Sequence, residues 1–234
     1  MRKNRPNLIQ KRVSSYIKDM DVKTCYPRLS LGVLVLCALC SFMIVIATFT
    51  QFQFGYILLP EKIFTSPFTF FSDPEFYKQF VQNFNYIPQI PVVLFIGALL
   101  GYRFGTLAIL AYIIIGLIGI PVFGLGGGLK YVLQPSFGYI IGYLVGAFFV
   151  AKNLENNNSL LAIFTSSTIG VLSIHIIGIL YLIIISVFQH QPIAVILGWV
   201  WILTGIQLIY DLAISLIAVS LARPARALLW IAIG

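Results

Sequence analysis

Asp211 is the only acidic residue inside any of the long apolar runs of this chain. A carboxylate in hydrocarbon is costly, so such residues face a protein interior or a cavity and mark substrate or ion pathways. Its chemistry there is that of an acceptor, taking N–H or O–H donors from a ligand or orienting a neighbouring donor. The second unusual stretch is Pro121-Val-Phe-Gly-Leu-Gly-Gly-Gly128, followed by Lys130 and then by Pro135-Ser-Phe-Gly-Tyr-Ile-Ile-Gly-Tyr143. Glycine-rich backbone exposes N–H and C=O groups that hydrocarbon cannot satisfy, so it is tolerated at membrane depth only where protein or a polar cavity covers it. The stretch therefore reads as a loop lining a small-molecule pocket. Gly126, Gly127 and Gly128 offer backbone groups, Lys130 a cation, and Tyr139 and Tyr143 flat faces and hydroxyls. The plainer alternatives are a lysine snorkelling to water and tyrosines anchoring the interface.

Other chemistry finds little support. Gly124-Leu-Gly-Gly-Gly-Leu-Lys130 lacks the Gly-Lys-Ser/Thr that opens a helix in a phosphate loop, so no nucleotide site is expected. Cys37-Ala-Leu-Cys40 has redox spacing but lies in an apolar helical run, where small packing residues are the expectation. His175 has no second ligand at metal spacing and reads as a hydrogen-bonded packing histidine or a minor pore-lining residue. Asp211 and His175 alone are thin grounds for an intramembrane enzyme, because no nucleophile or metal motif accompanies them. No cofactor and no metal are expected.

These residues need a frame, and composition supplies it. Of 234 residues, 59% are hydrophobic and 9% charged, and the mean hydropathy is +0.97. A soluble domain carries about a quarter charged residues. The chain is expected to be an all-α integral membrane protein with about six spanning helices and a glycine-rich loop between the third and fourth. The apolar runs place the spans at 29–50, 91–101, 104–120, 137–151, 160–188 and 193–222. Pro88, Pro91, Pro121 and Pro135 bound the short middle helices, since proline lacks an N–H and disfavours helix in the residue before it. Residues 1–28 form a basic tail, 29–222 one substrate-binding domain, and 223–234 a short C-terminal segment.

The net charge of +8 does not point to nucleic acid. Eight of the fifteen Lys and Arg residues lie in the first 28. With Arg103, Lys152, Arg223 and Arg226 they fall on one side of a six-crossing chain, leaving Lys62, Lys78 and Lys130 on the other. That asymmetry puts both termini in the cytoplasm and the chain in the cell membrane, its basic tail against anionic membrane lipid. The first apolar run is too long, and too far behind basic residues, for a cleaved signal peptide. Asn157-Asn158-Ser159 matches a glycosylation acceptor by chance, in a loop assigned to the cytoplasm. Gln51 to Gln89 is rich in aromatics, which disordered segments are not. Asp73-Pro74 reads as the start of a helix, either lying on the outer interface or serving as a lid.

The motifs Gly97-Ala-Leu-Leu-Gly-Tyr-Arg-Phe-Gly105, Tyr112, Gly116, Gly119-Ile-Pro-Val-Phe123, the glycine run and Pro135–Tyr143 resemble the BioY family, the biotin-specific substrate-binding components of energy-coupling-factor transporters. The resemblance is dense over less than a quarter of the chain. It implies a biotin site, a transmembrane coupling subunit and cytoplasmic ATPase subunits as partners, and an outer segment between the first two helices that lids the pocket. It makes Gln89 a candidate, since the family often carries glutamine just before its second helix and an amide suits a ureido ring. It also implies a lysine three residues after the aspartate. Ile214 stands there instead, which makes Lys130 the candidate partner for a substrate carboxylate and leaves another small vitamin as an alternative. Family members often carry small residues on the first helix for partner docking, and Cys37-x-x-x-Ser41 is the nearest equivalent. A structural or assembly subunit is the remaining alternative.

Overall fold

The computed structural model describes residues 31–57, 62–72, 74, 80–156 and 159–233. The basic tail, Asp73 and the Asn157-Asn158 turn lie outside these. The elements are α1 (Leu31–Phe49), β1 (Phe52–Ile57), α2 (Lys62–Thr65), α3 (Pro67–Phe71), β2 (Val81–Tyr86), α4 (Gln89–Ile118), a 3-10 turn (Leu129–Leu133), α5 (Phe137–Asn156), α6 (Leu160–Phe188), α7 (Ile193–Val200), a π-turn (Trp201–Gly205) and α8 (Ile206–Ile233). Among the described residues, five helical stretches are long and apolar enough to cross a membrane: α1, α4, α5, α6 and the continuous run 193–229. The protein is an integral membrane protein of helices.

Those five stretches hold six helical segments because α4 is folded back on itself. Gly101 has φ 77 and ψ 175, outside any helix and in a region essentially confined to glycine. Two contacts fix what this does to the chain. A Cβ on Gly105 would lie 3.1 Å from the Gly97 Cα, and the Gln89 side chain comes within 3.4 Å of the Tyr112 hydroxyl. A straight helix would hold Gln89 and Tyr112 about 34 Å apart at 1.5 Å per residue. Both pairs are centred within one residue of position 101, so α4 is an antiparallel hairpin of two arms, 89–100 and 102–118. The expected short helices at 91–101 and 104–120 are these arms. The first is about 18 Å long.

Small residues let the remaining helices close. Gly97 approaches Ala147, and Gly142 and Gly146 meet Ile174, each leaving no space for a larger side chain. In a bilayer, where lipid competes with any apolar side chain, such close backbone approach is the main source of helix association. Cys37 and Ser41 serve the same purpose. Ser41 Oγ donates to the Ala108 carbonyl at 2.6 Å, and both residues are buried against the second arm of α4. They are therefore not available as a docking stripe, which corrects that expectation.

The structure adds two features to those expectations. The aromatic segment between the first two spans contains an antiparallel strand pair, β1 with β2, in the register Phe52↔Tyr86, Phe54↔Phe84 and Gly55↔Asn83. Period-2 alternation puts Phe54, Phe84 and Tyr86 on the inner face and leaves Gln53, Asn83 and Asn85 exposed. At the other end of the chain, α8 runs unbroken through residue 222 to Ile233, with Pro224 inside it. The last segment is an extension of the sixth helix.

Candidate functional site

Asp211 projects from α8 into the bundle and is 1% exposed. Its Oδ1 accepts a hydrogen bond of 2.9 Å from the Tyr86 hydroxyl at the end of β2. Its Oδ2 lies 3.1 Å from His175 Nε2, near the middle of α6. The other ring nitrogen, Nδ1, is 3.1 Å from Thr204 Oγ1, and Thr204 is 2.6 Å from the Tyr139 hydroxyl. Thr204 belongs to the π-turn ahead of α8. Such bulges recur at functional sites, where the extra residue re-aims side chains within a continuous helix. Burial, reinforced by the Asp211 carboxylate, pushes the Tyr86 hydroxyl above its usual range, so it keeps its proton and donates.

A second network lies one helical turn along α5. The Tyr143 hydroxyl donates to Gln89 Oε1 at 2.8 Å. The Gln89 amide nitrogen donates to Thr48 at the end of α1, and Tyr112 joins both. The Tyr112 hydroxyl also reaches the Val122 carbonyl at 3.4 Å. Tyr139 and Tyr143 are four residues apart and share a face of α5, so that helix carries one member of each network. Four of the residues read from the sequence, Gln89, Tyr139, Tyr143 and Asp211, are thus brought together.

The glycine run sits behind this site and acts through its neighbours. Gly126 and Gly128 take φ 110 and 97, and a Cβ on Gly127 would meet the Ile120 carbonyl at 2.3 Å. Gly128 N–H closes onto the Gly116 carbonyl at 2.7 Å, supplying an acceptor at the end of α4 with its partner. Folded this way, the loop presses Phe123, fully buried, against Tyr112 and Tyr131. Lys130 stands apart. It is exposed and lines an outer groove of about 700 Å³ with Ile114, Leu117, Ile118, Gly127, Gly128 and Leu129, none of which belongs to the Asp211 cluster.

The strand pair roofs the first network. Phe54 stacks on Tyr210 at 4.8 Å, and Phe84 and Tyr86 contact the same ring at 5.0 and 5.9 Å. Tyr210 immediately precedes Asp211, so the roof is fastened to the helix that bears the acid. Sequence reasoning did not assign Tyr86, Thr48 or Thr204 to the site, and it met Tyr112 only as part of a motif. It met His175 but not its partnership with Asp211, 36 positions away. A polar residue in each of two apolar helices was the one available signal, because buried polar groups find partners.

The fold and this enclosed set of acceptors, donors and aromatic faces define a multi-pass membrane protein with a polar site between its helices. The chain belongs to the BioY family, whose model matches residues 81–229. It is 41% identical over 96 residues to a probable biotin transporter BioY of Lysinibacillus sphaericus, covering 40% of this chain and 49% of that one. It is 32% identical over 95 residues to the biotin transporter BioY of Thermotoga maritima, covering 40% and 56%. The chain spans about half the length of the curated relatives it matches. The fold is also that of a crystal structure of the S-component for biotin from an ECF-type ABC transporter, with a TM-score of 0.59 and 22% identity over 84% of this chain and 92% of that one.

Proposed function

We propose that this protein is the membrane-embedded biotin-binding component of an uptake system driven by a separate ATP-hydrolysing module. The observation that carries the reading is the Asp211 cluster beneath an aromatic roof in a chain of the BioY family. A ureido ring offers two N–H donors and one carbonyl. Asp211 is the acceptor that suits the donors, and the Gln89 and Tyr143 groups suit the carbonyl or the second N–H. The aromatic faces of Tyr139, Phe54 and Tyr210 suit the apolar bicycle, and roofing excludes water, which strengthens polar contacts in the site. Gly126, Gly127 and Gly128 shape the pocket wall through Phe123 and the Val122 carbonyl, and Lys130, exposed in its own groove, adds only a weak, water-screened attraction for the substrate tail.

Concentrating an anionic vitamin needs an energy source, and a transmembrane coupling subunit with ATPase subunits is the proposed one. The protein sits in the cell membrane with both termini in the cytoplasm. The Tyr102–Arg103 bend and the α5 end share one face of the bundle, with the Lys152 ammonium 5.1 Å from the Tyr102 ring, which supports one basic, inner side. The direct test is titration of the purified protein in nanodiscs with biotin. Saturable binding at one site per chain is expected. Binding of a different vitamin, with biotin unable to compete, would overturn the substrate.

A further inference from the structure

The hydrogen bonds around His175 have a direction, and Asp211 sets it. An ionised carboxylate has no proton to give. With Asp211 ionised, His175 Nε2, 3.1 Å from Oδ2, carries the hydrogen of that bond. If the imidazole is also neutral it has only one N–H, so Nδ1 is bare and accepts, with the Thr204 hydroxyl 3.1 Å away as its donor. Having used its proton, Thr204 Oγ1 can only accept from Tyr139, at 2.6 Å. Each hydroxyl and each nitrogen then has one consistent role. The ring itself is 2% exposed, and Tyr139 packs edge-on to it at 5.7 Å. The titratable groups facing it are Asp211 from α8 and Tyr139 from α5.

We propose that Tyr139, Thr204 and His175 form a one-way relay that keeps Asp211 an acceptor for substrate N–H groups, with His175 as a positioning residue. The identity of the substrate rests on the biotin-binding reading; the wiring does not. Protonating Asp211 would reverse every link. Oδ2–H would donate to Nε2, Nδ1–H to Thr204 and Thr204 to Tyr139, and the Tyr139 proton would need another acceptor. An imidazolium would reverse the last two links only. Three arrangements of protons thus share one set of heavy-atom distances and differ at the two ring nitrogens.

That difference is measurable without any ligand. The chain has two histidines, His175 and His190. His190 lies in a turn at φ 56, a conformation asparagine tolerates, so His190→Asn leaves one imidazole in the protein. Nitrogen-15 NMR of histidine-labelled protein in nanodiscs should find a bare Nδ1 and a protonated Nε2. A protonated Nδ1, with Nε2 bare or not, overturns the relay. Biotin titration then tests positioning. The glutamine amide nitrogen reaches about as far as Nε2 and donates, so His175→Gln should bind within about threefold of the unsubstituted protein, whereas His175→Leu should lose at least about tenfold. Equal loss in both variants, or loss in neither, overturns positioning in favour of packing. Failure of the unsubstituted protein to bind biotin would sink the substrate reading, and the imidazole signature would still decide the relay.

Discussion

At the scale of single residues, Asp211 and Lys130 make opposite predictions. Removing one partner of a buried, charged hydrogen bond costs about 2–5 kcal/mol, so Asp211→Ala should weaken biotin binding by about a hundredfold or more while the protein still elutes as a folded species. Isothermal titration checks it, and a loss below about fivefold would remove Asp211 from the site. Lys130 is exposed and away from the Asp211 cluster, and a water-facing cation adds little to affinity. Lys130→Ala should change binding of biotin by no more than about threefold. If instead biotin is weakened and its methyl ester is not, Lys130 holds the carboxylate. The acid was legible from the sequence because a charge inside an apolar run has few other reasons to be there. Its partners were not, since Tyr86, His175 and Asp211 meet only through the folding of three elements.

At the scale of elements, the α4 hairpin depends on Gly101 having no side chain. Gly101→Ala should cost about 1–3 kcal/mol, because φ 77 with ψ 175 is strained for any other residue. Thermal unfolding in detergent should report it as a lower midpoint, and an unchanged midpoint would mean that the bend adapts. The roof is a separate element with a separate readout. Phe54→Ala removes the stacked contact with Tyr210, and aromatic pairs contribute about 0.5–1.5 kcal/mol beyond area. Biotin release should quicken by about three- to tenfold with little change in association. The helical segments were readable from apolar runs bounded by proline. The strands were not, because Asp73-Pro74 is a strong helix-start signal and the alternation Asn83-Phe84-Asn85-Tyr86 is only four residues long. The π-turn left no trace beyond Gly205, and it carries the Thr204 that meets His175 and Tyr139.

For the molecule as a whole, the six expected crossings and the distribution of basic residues predict one arrangement in the membrane. After replacement of Cys25, Cys37 and Cys40, a cysteine at Gln191 should react with an impermeant reagent from outside the cell, and cysteines at Arg103 or Lys152 only after permeabilisation. Reversal at either end would break the topology. Affinity capture from cells should also bring down ATPase subunits.

The placement of Tyr86 ties these scales together. It ends the strand that covers the site, it is three residues before the Gln89 that anchors the second network, and its hydroxyl occupies one oxygen of Asp211. The cover therefore cannot rise without unlatching the carboxylate. On the proposed reading, opening the site and freeing Asp211 Oδ1 would be one event, and a substrate N–H that replaced the phenol there would compete with the latch for the same atom.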